Sequence, residues 1–513
     1  MIRSFLTVSS GTLASRLLGF VRDSIIAALL GAGPVADAFL VAFQLVNVVR
    51  RLLTEGALNA ALVPAWLRVR EAEGALAAAA FAGRVLGTVS AALIAASVLI
   101  GLLMPIVITA LAPGFAGHDT LQLAVNDARL MLPYLAFAGP VTVMMGLLNA
   151  QGRFALTAFS PLLFNIALIA VMAVLLGWRP DAIEAALIMA ATIGIAGLLQ
   201  LTMLALRSGG TARPLRISFD AEMRGFLGKA VPGMIASSGP QWLMVAGAII
   251  ASSTPSAVSW LYFANRLLEL PLGIVGVAMG TVLIPEMTRA LRGGDPSAVT
   301  HAESRGLELA VGLALPATLG LIVLSEPIVR ILFEHGAFTA DDTMATARAL
   351  QWLTLALPAH VLVKALSPAF YAREDTLTPL IATLKAIAVA IAAAFLLGHL
   401  FGANGIAASI ALGAWSNALS LIRKGAATFG FSIDGNARRR LPRILASALA
   451  MGALLWVATP ALPAAAGTHG LVQIMALLVL IIAGIAVYGL FLGMFGVLGW
   501  RQAVDAIRQR RAA

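Results

Sequence analysis

The side chains that could do chemistry in this chain are ionisable groups set inside long apolar runs. Arg16, Arg22 and Asp23 fall in the first run, and Asp37, Asn47, Arg50, Arg51 and Glu55 in the second. Ser259, Asn265, Arg266 and Glu269 fall in the eighth, Lys364 in the tenth and Lys385 in the eleventh. A charge at the centre of a membrane helix costs about 2.5–3.5 kcal/mol on insertion scales, so such residues face a bundle interior or a water-filled cavity. At about 100° per residue, Asp37, Gln44, Arg51 and Glu55 share one stripe of a helix, with Asn47 beside it. Ser259, Tyr262, Arg266 and Glu269 form a second polar face. Arg51 and Glu55 are four residues apart and Arg266 and Glu269 three, so each pair can neutralise itself within its own helix. Arg16, Arg22 and Arg50 have no acid at that spacing. The balance is a surplus of arginine, whose planar fork binds phosphate oxygens in pairs and so suits an anionic diphosphate better than a cationic or neutral drug. The competing reading is structural: Arg16 and Arg22 snorkel to an interface, while Arg50 and Arg51 lock helices through ion pairs.

Other chemistries find no support. The chain has no cysteine, which excludes thiolate metal sites, disulfides and cysteine nucleophiles, and its six histidines are scattered. His360 and His399 have no partner pattern, and Asp341–Asp342 reads as a cap for the helix that follows. No phosphate-binding glycine loop, serine elbow or zinc-protease motif occurs, so no catalytic residue, metal site or cofactor is expected and ATP hydrolysis does not power the protein. The expectation is a transporter rather than an enzyme.

The elements that must position these groups follow from composition. Of 513 residues, 60% are apolar and only 12% charged, more oil than a water-soluble core can hide. Apolar stretches of about 20 residues, the length that crosses a bilayer core, recur from end to end. They predict about fourteen helices, near 5–31, 35–63, 76–107, 124–149, 157–177, 182–206, 222–252, 256–288, 305–332, 343–370, 376–398, 404–424, 441–463 and 470–498. The first of these reads as a retained helix rather than a cleaved signal. Alternate connections carry the basic residues, at Arg68 and Arg70, Arg153, Arg207 to Arg216, Arg289, Arg373, and Arg423 to Arg440, whereas the other set holds little besides Arg179. The positive-inside rule therefore places the basic loops and both termini on the cytoplasmic side of the membrane. It also accounts for the net charge of +11 without a nucleic-acid partner.

The chain repeats itself. Pro34 and Pro64 recur as Pro255 and Pro285, both at an offset of 221 residues. Pro113–Gly114–Phe115 resembles Gly336–Ala337–Phe338, and Leu132–Pro133 resembles Leu357–Pro358. Six predicted helices separate the copies, an even number, so both have one orientation and the axis relating them runs along the membrane normal. The fold expected is all-α and polytopic, with two six-helix lobes related by a parallel repeat, residues 1–216 and 217–432. Two further helices and a basic tail, residues 433–513, complete it. Such lobes hold a substrate near the midplane and expose it to each face in turn by rocking.

The run Ser15-Arg16-Leu17-Leu18-Gly19-Phe20-Val21-Arg22-Asp23, then Gly31-Ala32-Gly33, Ala36-Asp37-Ala38-Phe39, Asn47 with Arg50-Arg51, and Glu55-Gly56-Ala57, resembles the MurJ (MviN) family of lipid II flippases. The likeness continues through Ala112-Pro113-Gly114-Phe115, Asn149 with Arg153, Asn165, Arg266-Leu267 with Glu269-Leu270-Pro271, and Phe370-Tyr371 with Arg373 and Asp375. It implies the fourteen-helix fold of the wider superfamily of multidrug, oligosaccharidyl-lipid and polysaccharide exporters. It implies a cargo, undecaprenyl diphosphate bearing the disaccharide-peptide unit of peptidoglycan, moved from the cytoplasmic to the periplasmic leaflet. Arg16, Arg22, Arg50 and Arg266 stand at the family's cavity arginines, and Asp37 and Glu269 at its cavity acids. Asn47, Arg51, Glu55 and Ser259 join them on the polar faces described above. Gln44 and Asn265 depart from the family pattern, where Lys and Asp are common, and carry no charged role here. Membrane lipid and the cell-wall synthesis machinery are the implied partners. The driving force is a coupling cation or the membrane potential, with no cation site legible. The alternative is a cation-coupled exporter of drugs, amphiphiles or other polyprenyl-linked oligosaccharides on the same fold. A membrane enzyme acting on polyprenyl lipids would need a catalytic acid cluster or histidine base that is not visible, and a pure scaffold leaves the buried charges unexplained.

Overall fold

The computed structural model describes residues 2–54, 57–207, 215–237, 239–279, 286, 289–290, 293, 296–371, 373, 375, 377–461 and 470–497. Among these there is no β-strand, and the chain is an all-α, polytopic membrane protein. Each of the fourteen predicted spans is mostly helical over its described residues, and among those residues nine helices are long and apolar enough to cross a bilayer by themselves.

The helices are α1 (Ile2–Leu30), α2 (Pro34–Thr54), α3 (Ala57–Glu73), α4 (Ala75–Leu102), α5 (Met104–Leu111), α6 (Asp119–Met131), α7 (Pro133–Ala150), α8 (Phe154–Trp178) and α9 (Ala182–Arg207). They continue with α10 (Ala221–Ser237), α11 (Gly239–Ala251), α12 (Ala257–Ala278), α13 (Pro296–Val323), α14 (Ser325–Phe333), α15 (Ala340–Thr354) and α16 (Leu357–Tyr371). α17 (Leu377–Phe429) is two helices folded back at Gly402, and α18 (Gly435–Ala458) and α19 (Leu471–Met494) close the chain. Several predicted spans are thus broken helices. The break at Leu103 precedes Pro105, that at Leu132 precedes Pro133, and that at Leu324 precedes Pro327. Proline has no N–H to give to the turn before it and is best accommodated where that donor would be unpaired, in the first turn of a new helix.

The breaks fall at matching points of the repeat. Leu103 (φ −91°, ψ 10°) and Leu324 (φ −95°, ψ 13°) lie 221 residues apart with nearly the same backbone. The left-handed Arg179 ending α8 (φ 56°) answers Gly402 in the fold of α17 (φ 56°).

By packing, the chain divides into two compact units, residues 1–259 with 335–339, and residues 260–334 with 340–513. In the first unit, Leu62, Trp66, Phe81, Val85, Leu147 and Met223 form a core where α3, α4, α7 and α10 meet. Small residues let its helices close up. A side chain at Gly194 of α9 would meet the Leu130 carbonyl oxygen of α6, and one at Gly197 would meet Tyr134 and Phe137 of α7. Residues 335–339 dock on the end of α1: Ala337 N donates to Ala28 O at 2.8 Å. Gly31 (φ 66°) and Gly336 (φ 60°) adopt a left-handed conformation that a Cβ disfavours, and a Cβ there would meet Ala337 O and Ala28 O respectively. In the second unit the outer helices keep their apolar side chains outward, as Ile482, Ile485 and Met494 of α19 do, where lipid takes the place of a partner.

Candidate functional site

The ionisable residues singled out above sort by burial into three groups. Arg22 is buried, 7% exposed, and each nitrogen of its guanidinium donates a hydrogen bond. Nε and Nη2 donate to Asp23 Oδ1 at 2.9 and 2.7 Å, Nη1 donates to Asn165 Oδ1 of α8 at 3.0 Å, and the rings of Phe43 and Phe164 lie 5.0 and 5.8 Å from its Cζ. Asn165 is itself anchored, its Nδ2 donating to Ser15 O at 3.2 Å. Two expectations need correction here. Arg22 does have a local acid, the adjacent Asp23, which an i,i+3 or i,i+4 search passes over because neighbours on a helix diverge by about 100°; the long arginine stem bridges that angle. Arg22 also does not snorkel, since its head is enclosed between α1, α2 and α8.

Asp37, in the first turn of α2, is likewise buried. Its carboxylate accepts from Ser256 N and Ser259 N, both at 2.9 Å, and from Ser259 Oγ at 2.5 Å. These donors lie at the start of α12, whose first amides have no partner within the helix. Asp37 therefore caps that helix from a distant stretch of sequence, where a carboxylate also meets the positive end of the helix dipole. Ser256, at φ 63°, turns the chain into the cap. The structure thus brings two of the named residues, Asp37 and Ser259, into direct contact.

The third group is open. Arg16 is exposed, and Asn47, Arg50 and Arg51 are half-buried. Arg50 Nη2 donates to Asn47 Oδ1 at 3.2 Å, one turn back on α2. Arg50 and Arg51 are equally half-buried, so burial does not choose between them. In the second unit, Arg266 Nη1 and Glu269 Oε2 form the expected pair within α12 at 2.8 Å, with side chains 21% and 28% exposed. Glu55 lies outside the described residues. Sequence reasoning left out Asn165, Phe43 and Phe164 as partners of Arg22; the asparagine stood in the family-like motif, but neither its distance nor its direction is legible from spacing.

Among the described residues no group of three or more His, Cys, Asp or Glu is arranged to hold a metal ion. Asp342, in the first turn of α15, accepts from Trp260 Nε1 at 3.1 Å. Outside the spans, Asp434 is a cap in its own chain segment. It accepts from Ala437 N at 2.7 Å at the head of α18, and this backbone bond holds its carboxyl below the usual range, helped by His301 at 3.2 Å.

Buried Arg22 and Asp37 thus tie together elements of the first unit, while the Arg266–Glu269 pair of the second stays partly accessible. The family model described as "Lipid II flippase MurJ" matches residues 26–482. A "Probable lipid II flippase MurJ" of Rhizobium meliloti (strain 1021) is 38% identical over 97% of this chain and 94% of its own length. The "Lipid II flippase MurJ" of Burkholderia cenocepacia is 34% identical over 82% and 83%. Among solved structures, "Lipid II flippase MurJ, inward closed conformation" shares the fold with TM-score 0.77 and 24% identity, covering 97% of this chain and all of that one. An inward-facing multidrug resistance MATE family transporter follows at TM-score 0.65 and 15% identity, over 84% of this chain and 95% of its own. The chain belongs to the lipid II flippase MurJ family.

Proposed function

We propose that this protein carries the lipid-linked peptidoglycan precursor, lipid II, from the cytoplasmic to the periplasmic leaflet of a bacterial inner membrane, without making or breaking a covalent bond. The observation that carries the reading is family membership along nearly the whole chain, 38% identity over 97% of it to a relative of that name. The polar lining supports the same cargo. Arg16 is exposed and Arg50, Arg51 and the Arg266–Glu269 pair are partly exposed, and a diphosphate can engage such arginines while its polyprenyl tail stays in lipid. Arg22 and Asp37 serve by holding α1, α2, α8 and the start of α12 in place. Residues 1–216 and 217–432 act as the two lobes that rock, and residues 433–513 stand outside the repeat. The basic loops and both termini face the cytoplasm, and cell-wall synthases take up the delivered precursor.

The likeness in fold to multidrug transporters favours a second reading, a cation-coupled amphiphile exporter, which the arginine surplus opposes. The deciding experiment depletes the protein in a host lacking a redundant flippase and assays the precursor leaflet by leaflet. Precursor trapped in the cytoplasmic leaflet, released by the wild type but not by Arg266→Ala, supports lipid II as cargo. Normal export during depletion transfers the assignment to the amphiphile exporter.

A further inference from the structure

Within the first unit, α3, the start of α4 and the turn between α7 and α8 border a cavity of about 370 Å³, lined by Trp66, Arg70, Ala75, Ala79, Gln151 and Arg153. It lies on the face that carries the basic connections, and among the described residues no acid lines it. Both arginines are held beside it. Arg70 stacks on Trp66, its Cζ 5.1 Å from the ring centroid, and Arg153 Nη1 donates to Arg207 O at 2.6 Å. Trp66 itself is 4% exposed, and its indole Nε1 is a buried donor with no acceptor among the described residues. Ala75 opens α4, whose N-cap is Gly74 (φ 88°) with no side-chain cap and whose first turn holds no acid. The first amides of that 28-residue helix therefore lack the side-chain acceptor that commonly meets them. Leu76, next along, is 89% exposed, so the cavity sits where a membrane span begins.

These groups suit one kind of ligand. Guanidinium forks bind phosphate oxygens in pairs, an uncapped helix N-terminus favours an anion, and an indole N–H adds one donor. Stacking on Trp66 covers a face of the Arg70 guanidinium and leaves its N–H edge for an anion. A second cavity beside α3, also about 370 Å³, makes the contrast: Arg68 there lies with Glu73 and Glu222. That cavity supplies its own counter-charge, and the first does not. We propose that the cavity at Trp66, Arg70 and Arg153 is an accessory phosphate site. It takes the head group of an anionic phospholipid, or a free phosphate, at the membrane edge. It stands apart from the arginines of the polar lining and does not rest on lipid II as cargo.

The test follows melting of the full-length protein in neutral detergent as dioctanoyl phosphatidylglycerol or inorganic phosphate is added at constant ionic strength. Dioctanoyl phosphatidylcholine controls for the added chains. A ligand of the folded state raises the melting temperature with its concentration, and the wild type is expected to show that rise. Loss of the Arg70 head in Arg70→Gln should weaken the apparent affinity about tenfold, and Arg70→Gln with Arg153→Gln should weaken it further. Trp66→Phe, which keeps the ring and removes the donor, should weaken it by a smaller factor. Arg68→Gln, from the second cavity, should leave it unchanged. If loss of the Arg153 bond to Arg207 unfolds the double variant, Arg70→Gln and Trp66→Phe still decide. A rise with phosphatidylglycerol alone assigns the site to a lipid head group, and a rise with inorganic phosphate as well extends it to soluble phosphates. No rise in the wild type, or an equal rise in Arg70→Gln, overturns the site, whatever cargo the protein moves.

Discussion

Arg22 on α1 and Arg266 on α12 look alike as residues in a sequence, each within a membrane span and each close to an acid, but the structure gives them opposite situations. Arg22 has its fork filled by Asp23 and Asn165 and its faces covered by two phenyl rings. Arg266 donates Nη1 to Glu269 and keeps a fifth of its side chain accessible. A filled fork has nothing left to offer a phosphate, whereas a partly accessible one can exchange its acid for a stronger anion. Arginine in a membrane span is therefore a reason to look, and the bonds it already makes decide between scaffold and lining.

The sharpest way to break this comparison is to remove Arg22. Arg22→Ala leaves Asp23 buried without its cation, and loss of one partner of a buried pair costs about 3–5 kcal/mol. The purified variant should unfold at markedly lower temperature and accumulate poorly in the membrane. Replacing both partners together, Arg22→Met with Asp23→Leu, should cost clearly less, since no orphan charge remains. A stable Arg22→Ala protein that nevertheless fails to export precursor would move Arg22 from the scaffold to the lining.

Asn165→Ala comes next. It withdraws the acceptor from Arg22 Nη1 and the donor from Ser15 O, a loss of about 1–3 kcal/mol for buried groups left unmet. The variant should bind substrate as the wild type does once folded, which ligand-dependent thermal shift can check. Arg266→Ala should do the reverse. A half-exposed pair within one helix contributes about 0–1 kcal/mol, so melting should barely move while export is lost. A large drop in stability would show that Arg266 is a second scaffold arginine and would leave the lining without its C-terminal member.

These contrasts mark what could be read from residue order. Helix number, the recurring prolines and the Arg266–Glu269 pair were legible because hydropathy, proline chemistry and helical spacing are local properties. The helix breaks at Leu103 and Leu324 were not foreseen, although Pro105 and Pro327 announced them; an unbroken apolar run hides a break from hydropathy. The cap that Asp37 places on α12 was beyond reach, because it joins residues more than two hundred positions apart.

The smallest effect expected on this scale of burial belongs to Asp434, a carboxylate outside the spans with water on one side. Its bond from Ala437 N opens α18, and an N-cap replaced by alanine typically costs about 1 kcal/mol. Because that bond and the neighbouring His301 favour the charged form, the folded carboxyl titrates below the ordinary aspartate value. The unfolded chain thus takes up its proton first as pH falls. The stabilisation is complete above the ordinary value and is lost progressively as pH drops through the folded one. Melting temperatures of wild type and Asp434→Ala should accordingly differ by a constant amount near neutrality and converge under acid conditions. A difference that widens on acidification would mean that a contact other than the cap dominates this junction of α13 with α18.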